Sequence, residues 1–382
     1  MNRRRVVIAG LGDVGILTAI RLHRHADVVG ISAKPALVSG QELGLRLSRP
    51  RDWARDYWIP FDRFRRLDGV RILQAQLTGV DPVGRTVSCR AQDGGTITEA
   101  YDALVISTGV SNGFWRRPTL QSAGEIGAEL RAAHDRLAAA GSVIVIGGGA
   151  AAVSSALNMA TTWPEKRIDL YFPGGRALGE YHPRIWERIR DRLTDRGVGI
   201  HPDHRAIVPD AFLCDEVTSE PVLWSTGQPP ACADAVLWAI GWVRPNTDWL
   251  PPELLDERGF VRVTSELRVP GHPGVFAVGD VAATDPHRSS ARNRGDALVA
   301  RNIRAEFAGR PMRMYRAPAR RWGSLLGAQP DGLEVFLPSG HSFRFPRWSV
   351  ERVVMPWIVR WGMYHGVREN NPFGPLDHAL RG

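Results

Sequence analysis

Val6–Ala9 is a compact apolar run that ends in glycines; Ile16, Leu17, Ile20 and Leu22 then recur at helical spacing, and Val28–Ile31 forms a second apolar run. Short apolar runs closed by glycine read as buried strands, and steps of three and four residues as a helix packed on them. The pattern therefore predicts strand, glycine turn, helix, strand. The same succession returns half a chain later, as strand Val143–Ile146, turn Gly147–Gly149, helix Ala150–Met159 and strand Arg167–Phe172. A repeated βαβ opening predicts two similar nucleotide-binding units in an α/β fold.

Between the openings the pattern changes. Gln41–Arg66 is polar and aromatic, and its Trp53, Tyr57, Trp58 and Phe61 fit either an acceptor pocket or ordinary core packing. Alternating runs near Val70–Leu77, Thr86–Arg90 and Thr96–Glu99, with turn residues at Asp81-Pro82 and Asp93-Gly94, predict an antiparallel meander. Ala103–Ser107 reads as a buried strand ending in Thr108-Gly109, Gly113–Ser122 as a linker and Glu125–Ala140 as a helix. Further on, Trp186–Leu193 and Ala291–Phe307 read as helices, Ala235–Ile240 as a strand ending at Gly241, and Val275–Val278 as a strand ending in Gly279-Asp280.

From Arg313 the chain is aromatic and arginine-rich. Val350, Val353, Val354, Trp357, Ile358, Trp361 and Tyr364 share one helical face, flanked by Arg347, Arg352 and Arg360, and Pro356 kinks or breaks it. Two readings stand: a helix packed over the body of the protein, and an interfacial anchor, with peripheral membrane contact through 347–365.

Composition narrows the classes. The chain has 382 residues, a formal charge of +9 and only two lysines, Lys34 and Lys166. The excess of arginine is either a habit of composition or an attraction for anions such as dinucleotide phosphates, an acidic substrate or a membrane face. No long basic run points to nucleic acid. The three cysteines, Cys89, Cys214 and Cys232, lie far apart without redox or metal spacing, which fits a reducing cytoplasm. No run approaches the length of roughly 20 apolar residues that spans a bilayer, so the expected location is cytoplasmic, and on the anchor reading peripheral at the inner membrane face. His182, His201, His204 and His287 show no ligand spacing and carry no assigned chemistry.

The first turn, Gly10-Leu11-Gly12-Asp13-Val14-Gly15, is a full G-x-G-x-x-G between strand and helix. Gly10 permits the tight turn, Gly12 lets backbone approach a pyrophosphate at the helix N-terminus, and Gly15 lets helix and strand pack closely. The second turn, Gly147 to Ala152, satisfies the G-x-G-x-x-A form through Gly147, Gly149 and Ala152. Neither second strand ends in the usual ribose-binding acid. Ser32 stands at the first place, followed by Lys34, and Phe172 at the second, with Arg176 just beyond. An arginine there favours a 2′-phosphate, hence NADPH, although a solvated loop arginine explains it equally.

These landmarks occur in one order: the first turn, Ala103–Gly109, the second turn, Leu237–Asn246 with Gly241, and Val275–Asp280. Together they resemble the FAD-dependent pyridine nucleotide-disulfide oxidoreductase superfamily, with closest likeness to type II NADH dehydrogenases and to apoptosis-inducing-factor-like, ferroptosis-suppressor-type quinone reductases. The resemblance implies an FAD-binding domain from 1–115 and 240–311, an inserted NAD(P)H-binding domain at 116–239, and a C-terminal extension at 312–382 that serves as a membrane or acceptor-site element. It implies that Asp280 bonds the flavin ribityl chain and that Thr108 and Gly109 lie near FAD. A helix beginning at Ala291 would aim its N-terminus at the flavin.

Three departures accompany the likeness. There is no redox cysteine pair, Ser154-Ser155 stands where many relatives carry a glutamate, and both ribose acids are missing. The expected activity is hydride transfer from NAD(P)H through FAD to a quinone-like or aromatic acceptor. Its rivals are a flavin-dependent tailoring enzyme acting on a hydrophobic substrate, an apoptosis-inducing-factor-like flavoprotein with a binding role, and a chain that has lost FAD. Lys34 is the only candidate for acid–base chemistry; oligomeric state is not legible.

Overall fold

The computed structural model describes residues 3–38, 43–111, 118–291, 293–368 and 375–381. Two sheets organise it, one built from segments on both sides of the other. The first has seven strands in the order Val275–Ala277, Ala103–Ile106, Arg5–Ala9, Asp27–Ser32, Arg71–Asp81, Thr86–Ala91 and Thr96–Ala100. Its first five strands run parallel and the last three form the antiparallel meander. Parallel strands covered on both faces must be apolar throughout, and Val6, Val7, Ile8, Leu104, Val105 and Ile106 are fully buried.

The second sheet takes Gly199–His201, Arg167–Tyr171, Ser142–Ile146, Ala235–Trp238 and Val217–Thr218, with only the last pairing antiparallel. Both units are Rossmann-like, and the second is inserted in the first. The chain crosses between them twice, through Val110–Ser111 and Arg244–Pro245, which pair antiparallel. Gly113–Ser122, expected as a linker, lies outside the described residues up to 117; its Ser122 caps helix Ala123–Ala139 through a reciprocal bond pair with Glu125.

One core cluster joins the two units. Leu45, Leu47, Trp53 and Trp58 pack with Val153 and Leu157 of helix Ala150–Thr162 and with Leu325 and Phe336 near the C-terminus. Helix Leu43–Ser48 crosses helix Ala150–Thr162 so closely that a Cβ on Gly44 would sit 2.4 Å from the Ser154 carbonyl oxygen. Trp53, Phe61 and Phe64 are buried in core clusters and Tyr57 is half-buried against one, so of the two readings of this aromatic stretch the structure takes core packing.

Two elements differ from expectation. The helix expected from Ala291 starts at Gly295, because Arg294 takes a left-handed conformation (φ 58°) after a short turn at Ser289–Ala291. The C-terminal region contains an antiparallel sheet, Gly323–Gln329, Gly332–Phe336 and Ser342–Phe345, that hydrophobic pattern did not announce. Leu325, Leu326 and Phe336 anchor it in the core, and a buried carboxylate adds to them. Glu334, with its side chain 2% exposed, takes Arg192 at 2.9 Å, Arg344 at 3.2 Å and Arg188, and the Ser342 hydroxyl donates to it at 2.7 Å.

Burial pushes the Glu334 carboxyl up, but the Ser342 hydroxyl and the guanidinium of Arg188 outweigh it and hold the group below its usual range. A carboxylate depressed in the folded state contributes stability above its unfolded pKa, and that contribution is lost as pH falls through the folded value. The contact between this sheet and helix Pro183–Thr194 is therefore expected to weaken below a pH of about 4. Glu334→Gln, which strips Arg188 of its anion and leaves Arg192 and Arg344 with Asp331 alone, is expected to cost about 2 kcal/mol, read by chemical denaturation; acid dependence identical in variant and wild type would contradict the assignment.

Candidate functional site

The first turn is built by steric necessity. Gly10 has φ +100°, and a Cβ there would lie 2.6 Å from the Ser107 carbonyl oxygen; on Gly15 it would lie 2.0 Å from the Gly10 carbonyl oxygen. The Ser107 hydroxyl donates to the Gly10 carbonyl at 2.8 Å and holds the turn shut from behind. Gly12 differs: a Cβ there meets no protein atom within 4 Å. No neighbouring protein atom demands glycine at that point, and the backbone stands open to the space before it. The second turn divides its labour alike. Gly147 has φ +137° and a Cβ would lie 2.2 Å from the Ala239 carbonyl oxygen, whereas Gly149 faces open space. Ala152 is fully buried.

A cavity of about 280 Å³ opens before the first turn and is lined by Gly10, Gly12, Asp13, Ser32, Lys34, Thr108, Gly109, Gly279 and Asp280. Nine residues singled out from sequence thus meet at one place, while Gly15 supports them from within the helix. The amides at the N-terminus of helix Asp13–Leu22 and the bare Gly12 fit a dinucleotide pyrophosphate. Gly279, at φ +88°, donates its amide to the Ser290 hydroxyl at 2.9 Å, which fixes the turn that presents Asp280. Ser32 accepts from the Lys34 amide at 3.1 Å, and the Lys34 ammonium donates to the Thr119 carbonyl at 2.8 Å and to the Gln121 side chain. Lys34 thereby ties the 119–121 segment to the rim of this cavity and does not line the second. Ala291 lines the first cavity, but the helix N-terminus expected there lies at Gly295, which does not line it.

A second cavity, of about 390 Å³, opens before the second turn. Gly149, Ser154 and Gly241 line it, and so do Val110 and Asp280, which both cavities share. Arg176 sits on the exposed loop after strand Arg167–Tyr171, donates to the Gly179 carbonyl at 3.1 Å and lines neither cavity.

Several residues in these walls carried no role in the sequence reading. Asn246 donates its amide to the Gly109 carbonyl (3.1 Å) and its side-chain NH₂ to the Thr108 carbonyl (2.9 Å), and accepts from the Ser111 hydroxyl at 2.7 Å and, through its carbonyl, from the Thr108 hydroxyl at 2.9 Å. In the second cavity Glu180 pairs with Arg321 at 2.6 Å and lies 3.4 Å from His287 Nδ1, and Arg321 donates to the His287 carbonyl at 3.0 Å. Only topology brings 180, 287 and 321 together; no spacing in the sequence announces it. Cys89, Cys214 and Cys232 are free thiols, and burial, with Asp215 beside it, pushes Cys214 up to about 11. Among the described residues no group of His, Cys, Asp and Glu could hold a metal ion.

With that geometry in view, the chain was compared with known proteins. Residues 4–317 match the pyridine nucleotide-disulphide oxidoreductase family model, and the chain belongs to that family. It is an NAD(P)H-dependent flavin oxidoreductase whose cofactors are FAD and a pyridine nucleotide. It is similar to the oxidoreductase ptaL of Pestalotiopsis fici, 24% identical with 92% of this chain and 95% of that protein covered. It is also similar to the demethylphylloquinone reductase NdbB of a Synechocystis species, 25% identical over 94% and 96%. Among solved structures, NDH2 of Plasmodium falciparum in complex with NADH superposes with a TM-score of 0.70 at 12% identity, covering 100% of this chain and 98% of that one.

The two kinds of glycine separate experimentally. Gly15→Ala forces helix from strand and is expected to cost about 1–3 kcal/mol of stability. Gly12→Ala is expected to leave the melting temperature of the cofactor-free protein within a degree or two of wild type and to weaken dinucleotide retention by tenfold or more, because each 1.4 kcal/mol is a factor of ten. Thermal melts and flavin content of the purified variants check both; a Gly12→Ala protein that melts early yet keeps its flavin would reverse the assignment.

Proposed function

We propose that the chain oxidises NAD(P)H and passes the electrons to a quinone-like or aromatic acceptor, with FAD in the first cavity and the nicotinamide nucleotide in the second. The observation that carries this reading is the shared wall: Val110 and Asp280 line both cavities, so ligands held by the two turns would meet there. FAD, when bound, supplies the two-electron relay. The chain's own residues hold and orient: the first turn and helix N-terminus take a pyrophosphate, Asp280 meets sugar hydroxyls, and Asn246 braces Thr108 and Gly109. Residues 1–115 with 240–311 form the flavin domain in this reading, 116–239 the nucleotide domain and 312–382 the extension. In this reading no redox-active disulfide takes part, because Cys89, Cys214 and Cys232 lie far apart in the sequence without redox spacing. The demethylphylloquinone reductase among the similar proteins supports a quinone-like acceptor.

An anaerobic spectrum of purified protein, with NADH and NADPH added in turn, tests the reading. Rapid bleaching of the flavin band is expected. Because Arg176 lines neither cavity, Arg176→Ala is expected to leave the response to both donors unchanged. A yellow protein that neither donor bleaches would retire this function. Ser154, standing in the second cavity where a relative's glutamate is expected, would then favour the tailoring enzyme.

The C-terminal segment supports membrane contact in the same reading. Trp357 is 65% exposed and Trp361 51%, on a helix that also exposes Ile358 and Arg352, with Trp348 exposed in the turn before it. Aromatic residues with arginines suit an anionic interface. No helix among the described residues is long and apolar enough to cross a membrane, so attachment would be peripheral. Sedimentation with anionic vesicles is expected for wild type and strongly reduced for Trp357→Ser/Trp361→Ser; equal sedimentation would remove this element from the proposal.

A further inference from the structure

One C-terminal helix leads straight to the first turn. Val350–Met363 winds widely, with bonds such as Tyr364 N–H to the Val359 carbonyl (3.0 Å), and carries Pro356 without breaking. Tyr364 follows it and is 3% exposed. Its ring meets Phe64 edge-on, 5.2 Å between centroids, and its hydroxyl donates to Asp13 Oδ1 at 2.7 Å. The chain around it is tied down as well. Arg65 N–H donates to the Gly366 carbonyl at 3.1 Å, Arg368 N–H to the Arg63 carbonyl at 2.8 Å, and the Arg368 guanidinium grips Asp68 at 2.9 and 2.6 Å.

Asp13 is the first residue of the helix that follows Gly12, and it lines the first cavity. A carboxylate at that place shares the helix's positive end with any anion entering before Gly12, and like charges within a few ångströms repel. A hydroxyl donating from the protein side holds the carboxylate and disperses part of its charge. Burial, with Asp13 adding to it, raises the Tyr364 hydroxyl well above its ordinary range, so it remains a donor at working pH.

We propose that Tyr364 is a positioning residue of the flavin site: by holding the Asp13 carboxylate it couples docking of the 346–368 segment to retention of FAD. This rests on the reading that FAD occupies the first cavity. Coupling between binding events is reciprocal, so FAD in turn secures the segment.

The test measures FAD dissociation from purified holoprotein by the rise in free-flavin fluorescence, for wild type, Tyr364→Phe, Asp13→Asn and the double variant. Phenylalanine keeps the ring against Phe64 and removes only the donor. Tyr364→Phe is expected to weaken FAD retention about tenfold, the worth of a hydrogen bond to a charged group. Asp13→Asn, which removes the charge, is expected to retain FAD at least as well as wild type, and adding Tyr364→Phe to it is expected to change nothing. Trypsin is expected to cut within 346–368 faster in FAD-free than in FAD-loaded protein. The proposal falls if Tyr364→Phe folds and holds FAD as wild type does, or if the loss persists in the Asp13→Asn background. If Tyr364→Phe does not fold, weakened FAD retention in Asp13→Asn alone overturns it, because a merely structural bond would give that result. A wild-type protein that binds no FAD overturns the functional reading itself.

Discussion

Everything at the centre of this molecule depends on a double crossing. The chain must leave the first sheet after Ile106, build a second sheet, and return before Val275. Both passages run through one short ribbon, and Asn246 bonds to Thr108, Gly109 and Ser111 across it. A single amide with donor and acceptor at its tip, beside its own backbone amide and carbonyl, can satisfy several polar groups that a crossover would otherwise leave unpaired. Because the ribbon is held, Val110 belongs to both cavities at once, and the two turns open toward a common wall.

The glycine turns show why shape alone carries information here. Gly10, Gly15 and Gly147 are forced by neighbouring backbone. Gly12 and Gly149 answer to nothing in the protein. A fold kept for its own stability would tolerate side chains at the latter two. Their bareness in both units leaves backbone open to close approach, which agrees with membership of a family that uses two dinucleotides.

Much of this was legible in the chain. Fully buried parallel strands such as Val6–Ala9 and Val143–Ile146 are apolar at every position, and glycines punctuate their ends, so the repeat stands out and the cavity residues follow from it. What was not legible has physical reasons. Arg294 adopts a left-handed conformation that residue type does not disclose, which moves a helix start by four positions. The C-terminal sheet is secured in part by ion pairs on Glu334, so alternation of apolar residues is weak there. In the cluster of Glu180, His287 and Arg321, Glu180 comes from a segment more than a hundred residues before the other two, and there is no periodicity to read. The aromatic stretch at 53–64 was legible as buried but not as to what it buries against.

The tail touches both halves of the molecule. Its sheet packs on helix Ala150–Thr162, where the Asn158 side chain donates to the Leu326 carbonyl at 3.1 Å and Gln329 donates to Asn158 at 3.2 Å. Its helix Val350–Met363 leads to Tyr364 and the first glycine turn. A segment so placed acts as a mechanical staple between two units that the chain itself joins through one two-stranded ribbon. Melting of one nucleotide-binding unit would then strip support from the other.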